Sequence, residues 1–124
     1  MTKRILVVED QDDLRGLLRD LFTSSGYVVI EAADGATSVA MAKSDRPSII
    51  LMDIQMPVVD GYEATRQIKA DADLTSIPIV AVSSFAMKGD EEKARAAGCD
   101  EYVTKPYSPI QLLRMVRGYL ADKA

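Results

Sequence analysis

The patterning of this chain predicts an α/β fold, a single doubly wound sheet of five parallel strands flanked by five helices. Three observations carry that prediction. Five short apolar or β-branched runs alternate with five stretches of helical periodicity along 124 residues. The third run, Ile49-Ile50-Leu51-Met52 between Pro47 and Pro57, is apolar without a break, as a strand buried on both faces requires. Runs one and three both end on acids, Glu9-Asp10 and Asp53, at the strand ends where open α/β sheets place their ligands.

Arg4-Ile5-Leu6-Val7-Val8 is the first strand. Asp12 and Asp13 open the first helix, where carboxylates favour the positive end of the helix dipole. Leu14, Leu17, Leu18, Leu21 and Phe22 follow at the spacing of one apolar stripe, and Gly26 is a natural stop. Residues 27–30 form the second strand, and Asp34-Gly35 turns into a helix expected to carry Ala36, Val39 and Ala40 inward. The third strand's turn ends at Asp60-Gly61, and Tyr62, Thr65 and Ile68 then recur at helical spacing. Residues 76–82 are the fourth strand, with Pro78 near its start and Ser83-Ser84 at its end. A short helix over residues 90–97 is closed by Gly98. Tyr102-Val103 is a brief fifth strand running into Thr104-Lys105-Pro106. Ser108-Pro109-Ile110-Gln111 has the form of a capping box with proline at the first helical position, and the last helix is expected to bury Leu112, Leu113, Val116 and Leu120. No linker, repeat or low-complexity stretch interrupts the series, so residues 1–124 read as one domain.

Composition narrows the function. Fifteen basic against nineteen acidic side chains leave a net charge of −4, which argues against a domain living on contacts to a nucleic-acid backbone. No apolar stretch reaches the ~18–20 residues of a membrane span, and no charged-then-apolar leader precedes Ile5. Cys99 is the only cysteine and reads as a small buried residue; a cytoplasmic protein is expected. Histidine is absent altogether, which excludes a Ser–His–Asp machine, a His-ligated metal centre and any self-contained phosphohistidine step.

In such a sheet the ends of strands one, three, four and five meet along one edge, bringing Glu9, Asp10, Asp53, Ser83 and Lys105 to it. Three ionised acids against one lysine leave an excess of negative charge. Two carboxylates 4 Å apart repel by roughly 4 kcal/mol at an effective dielectric of 20, so a further cation is needed. Few carboxylates and no histidine favour Mg²⁺ over zinc or copper. Asp12, Asp13 and Asp34 read instead as helix caps, and Glu9-Asp10 taken alone could be either cap or ligand.

These pieces together resemble the receiver domain of two-component response regulators over essentially the full chain. The matching segments are Ile5-Leu6-Val7-Val8-Glu9-Asp10, Leu51-Met52-Asp53-Ile54-Gln55-Met56-Pro57 with Asp60-Gly61, Ala81-Val82-Ser83-Ser84, and Tyr102-Val103-Thr104-Lys105-Pro106. Glu9 stands where many members have aspartate, and Ser83 where threonine is common. The resemblance implies a flavodoxin-like (βα)5 fold with strand order 2-1-3-4-5. It implies Asp53 as the phosphorylated aspartate, Asp10 as a direct Mg²⁺ ligand with Glu9 acting through water, and Gln55 lending its backbone carbonyl. Ser83 matches the hydroxyl that moves to the phosphoryl group, Lys105 the cation that pairs with a phosphoryl oxygen, and Tyr102 the aromatic that turns inward afterwards. The Lys105–Pro106 bond matches one that is cis in the family. Gln55 and Phe85 match positions flanking the path of an attacking water; Phe85 cannot orient water, so a long-lived phosphoryl group is expected, and Phe85→Glu should change the rate at which it is hydrolysed. The segment Phe85-Ala86-Met87-Lys88-Gly89-Asp90-Glu91-Glu92 is similar to that of DivK-type cell-cycle regulators.

The expected function is a stand-alone phospho-acceptor switch, not an enzyme beyond assisting its own phosphorylation and dephosphorylation. Its expected partners are a sensor histidine kinase or a histidine phosphotransfer protein as donor, and a downstream protein reading the helix 4–strand 5–helix 5 surface, with no direct nucleic acid or membrane contact. A monomer or weak dimer is expected. One alternative is the receiver fragment of a larger regulator with an output domain. Another is a Mg²⁺-dependent phosphohydrolase with an aspartate nucleophile, but such enzymes typically carry a second acid two residues later, where this chain has Gln55. Val58-Val59, apolar beside Asp53, suits either a kinase-docking surface or loop packing.

Overall fold

The computed structural model describes residues 3–56, 58–83 and 89–121. Among them, β1 (Arg4–Val8), α1 (Asp12–Ser24), β2 (Val28–Ala32), α2 (Gly35–Asp45), β3 (Ile49–Asp53), α3 (Gly61–Ala70), β4 (Ile79–Ser83), α4 (Asp90–Ala97), β5 (Glu101–Thr104) and α5 (Pro109–Leu120) alternate without exception. The five strands form one parallel sheet in the order β2-β1-β3-β4-β5. Fold class and strand order are those the sequence and its resemblance predict.

The alternation of side chains along each strand divides the core in two. Ile5, Val7, Ile49, Leu51 and Val80 point to one face, where Leu18 and Phe22 of α1 and Leu112, Val116 and Leu120 of α5 cover them. Leu6, Val8, Ile50, Met52, Ile79 and Ala81 point to the other, under Val39 and Ala42 of α2, Ala64 and Ile68 of α3, and Ala94 and Ala97 of α4. Each large aliphatic side chain buried this way contributes about 1.5–3 kcal/mol. Every residue of β3 and β4 is buried, so these strands form a fixed central frame.

The helix ends follow from local chemistry. The Asp34, Asp60 and Ser108 side chains accept from the backbone N–H groups of Thr37, Glu63 and Gln111, capping α2, α3 and α5. Gly98 ends α4 with φ 115°, a left-handed conformation that side chains disfavour.

Several expectations are corrected. Only Leu18 and Phe22 of the α1 stripe are buried, and Leu17 is 65% exposed. At about 100° per residue Leu17 lies too far round the axis from Phe22 to share its contact line. In α2 the inward residues are Gly35, Ser38, Val39 and Ala42, while Ala36 and Ala40 are exposed. Alanines on every side give that helix no strong stripe, and its start at the Asp34 cap fixes the face instead. Leu113 is half-buried, the inward line of α5 being Leu112, Val116 and Leu120. The cap position of α1 is Gln11, without a side-chain bond; Asp12 and Asp13 sit in the first turn, where Asp12 pairs with Arg15 at 2.5 Å. β2 and β4 begin later than expected, and β5 is extended at both ends. Pro78 therefore lies just before β4, where its carbonyl accepts from Ile50 N. Pro57, Ser84 and Phe85, with the rest of 84–88, lie outside the described residues.

Candidate metal and phospho-acceptor site

The carboxyl ends of β1, β3, β4 and β5 form one rim, because all strands run the same way and pair in register. Val8 lies beside Met52, Asp53 beside Val82, and Ser83 beside Thr104. The residues that end or follow these strands are therefore neighbours although up to 96 positions apart.

Carboxylate oxygens of Glu9, Asp10 and Asp53 lie within 4.8 Å of one another. Glu9 and Asp53 are buried and Asp10 is exposed, so the cluster opens to solvent on one side. Lys105 reaches in from beyond β5, its Nζ 3.0 Å from Glu9 Oε1 and 3.7 Å from Asp53 Oδ1. Burial and the adjacent Glu9 carboxylate raise the Asp53 pKa to about 7, against the pull of Lys105. Burial also pushes Glu9 up, but the Asp53 carboxyl, Lys105 and the Gln11 N–H bond to it and hold it below the ordinary value. Without a further cation, then, the pair keeps a proton on Asp53 to near neutrality. One ammonium does not neutralise this rim.

The donor set fits a hard divalent cation. It is all carboxylate oxygen, one member is solvent-facing, and the chain has no histidine. Cys99, the one thiol, is buried elsewhere against Thr65.

Around the cluster the loop after β3 is tightly placed. Gln55 N donates to Asp53 Oδ1 at 3.1 Å, and Gln55 Nε2 donates to Ser83 Oγ at 2.7 Å. A Cβ on Gly61 would come within 2.3 Å of the Asp53 carbonyl oxygen, so only glycine lets α3 start this close to β3. Val58, with φ 66°, is fully exposed, whereas Val59 packs against the core as loop packing predicts. The Lys105–Pro106 peptide bond is cis. Tyr102 is half-buried and packed against the core on the face that α2, α3 and α4 cover.

Of the site residues named from sequence, Glu9, Asp10, Asp53 and Lys105 meet at one point, with Gln55 and Ser83 bonded to each other beside them. Phe85 is not among the described residues. Arg15 escaped the sequence reading. Its guanidinium donates to the Glu9 carbonyl at 2.8 Å and pairs with Asp12 and with Glu31 of β2, pinning the loop that carries the acids. Its spacing from Asp12, three residues on, was the one available signal.

Residues 5–117 match the response regulator receiver domain. The chain belongs to that family. This receiver is 43% identical over 122 residues to the polar-differentiation response regulator DivK of Brucella abortus, a match covering 98% of this chain and 99% of that protein. The receiver domain of the sensor histidine kinase PA1611 from Pseudomonas aeruginosa PAO1 has a magnesium ion coordinated in its active site cleft. It superposes with a TM-score of 0.90 at 35% identity, covering 98% of this receiver and 100% of that domain. The Vibrio cholerae chemotaxis response regulator CheY4 superposes with a TM-score of 0.89 at 25% identity, covering 96% and 99% of the two chains. Phosphorylation and Mg²⁺ are typical of receivers, which act in two-component signalling. Among the described residues no helix is long and apolar enough to cross a membrane.

Proposed function

We propose that this receiver, one domain over residues 1–124, takes a phosphoryl group onto Asp53 from a phosphohistidine on a partner kinase or phosphotransfer protein. The reading is carried by the meeting of Glu9, Asp10 and Asp53 with Lys105 at a solvent-open rim. An Asp53 carboxylate oxygen attacks phosphorus, the P–N bond to the donor imidazole breaks, and the ring nitrogen keeps the electron pair. The phosphohistidine lies outside residues 1–124, which contain no histidine.

Glu9, Asp10 and Asp53, with the Gln55 carbonyl, would hold Mg²⁺. When bound, that ion would supply positive charge against the phosphoryl oxygens and favour the ionised form of Asp53. Lys105 gives a second cation to a phosphoryl oxygen. Ser83 then turns toward the phosphoryl group, Tyr102 moves into the space left, and the surface of α4, β5 and α5 changes its preferred protein partner. This is a shift between two populations, so the phosphoryl group must favour one of them by a few kcal/mol.

Asp53→Asn should abolish labelling by acetyl phosphate or by a phosphorylated kinase, read by mass spectrometry of the intact chain. Stoichiometric labelling that persists in the variant would place the acceptor elsewhere.

A further inference from the structure

We propose that Gln55 is a positioning residue, whose side-chain amide holds the Ser83 hydroxyl in its resting place and sets how readily it passes to a phosphoryl group. The proposal rests on Asp53 being the acceptor. Gln55 touches both parties: its backbone N–H donates to Asp53 Oδ1 at 3.1 Å, and its Nε2 donates to Ser83 Oγ at 2.7 Å. The second bond spans 28 residues and joins the loop after β3 to the end of β4.

Ser83 is fully buried, so protein groups rather than bulk water orient its hydroxyl. A hydroxyl oxygen has one proton and two lone pairs. The Gln55 N–H engages a lone pair and fixes the oxygen on the Gln55 side. For Ser83 to turn toward Asp53, that bond must lengthen or break, so part of the phosphoryl group's favourable interaction is spent undoing it. A side chain of similar length without a donor removes this restraint on Ser83. A shorter amide does the same, because it cannot reach from the Gln55 backbone position.

The test titrates beryllium fluoride, a phosphoryl mimic, into the full chain at saturating Mg²⁺, following the Ser83 amide and Tyr102 ring signals by NMR. Gln55→Met and Gln55→Asn should each bind the mimic about fivefold more tightly than wild type, the worth of one net neutral hydrogen bond. In a Ser83→Ala background the same substitutions should leave the affinity unchanged, because the bond they remove is already absent. Unaltered or weaker binding by both variants, or an equal gain in the Ser83→Ala background, would overturn the positioning role and leave the acceptor reading standing. A wild-type chain that never takes up the mimic would overturn the acceptor reading, and this proposal with it.

Discussion

Asp53 keeps its proton well beyond the range of an ordinary aspartate, because it is buried beside Glu9. The consequence for stability has a definite sign. Its folded value, about 7, lies above the unfolded value of 3.8, so the native state binds this proton more tightly. Asp53 therefore contributes most to stability at low pH, and the contribution is lost as pH rises through about 7. Glu9 is shifted the other way, and its contribution is already complete above the ordinary glutamate range. Metal-free protein should thus lose this contribution between about pH 4 and about pH 7, by on the order of 1 kcal/mol or more. Urea unfolding in the presence of a chelator, compared with Asp53→Asn, checks this; a pH slope equally steep in the variant would refute it. Proton competition also means that Mg²⁺ should bind more weakly at the acid end.

The elements around the site are held at distances set by single residues. α3 begins against the backbone of β3, where Gly61 leaves no room for a Cβ beside the Asp53 carbonyl. Gly61→Ala should therefore force the two elements apart and destabilise the fold by about 1–3 kcal/mol, the usual range for overpacking. Thermal unfolding measures that directly, and a variant as stable as wild type would show that α3 can give way. α1 is tied at its start by Arg15, which joins the loop after β1 to β2. The acids at positions 9 and 10 thus sit on a braced loop rather than a free one.

For the molecule as a whole, the sequence revealed most where physical periodicity is strong. The unbroken apolar run of β3, the acids after β1 and β3, and the capping residues Asp34 and Ser108 all speak locally, and the structure agrees with them. Where side chains are small or the stripe is wider than the contact line, as with the alanines of α2 or Leu17 of α1, apolar spacing alone does not name the buried face. The same holds at the site. Its acids and lysine were legible as strand-end residues, but the Gln55–Ser83 bond and the reach of Arg15 to the Glu9 carbonyl depend on three-dimensional register.

β5 lies at the border of the sheet and pairs on one side only, with β4. Tyr102 belongs to it and Lys105 directly follows it. On the proposed reading, one edge strand thus carries the ring that would report an incoming anion and leads directly into the charge that would meet it. A displacement there disturbs one ladder of hydrogen bonds, so a signal can leave the domain while the sheet's interior stays still.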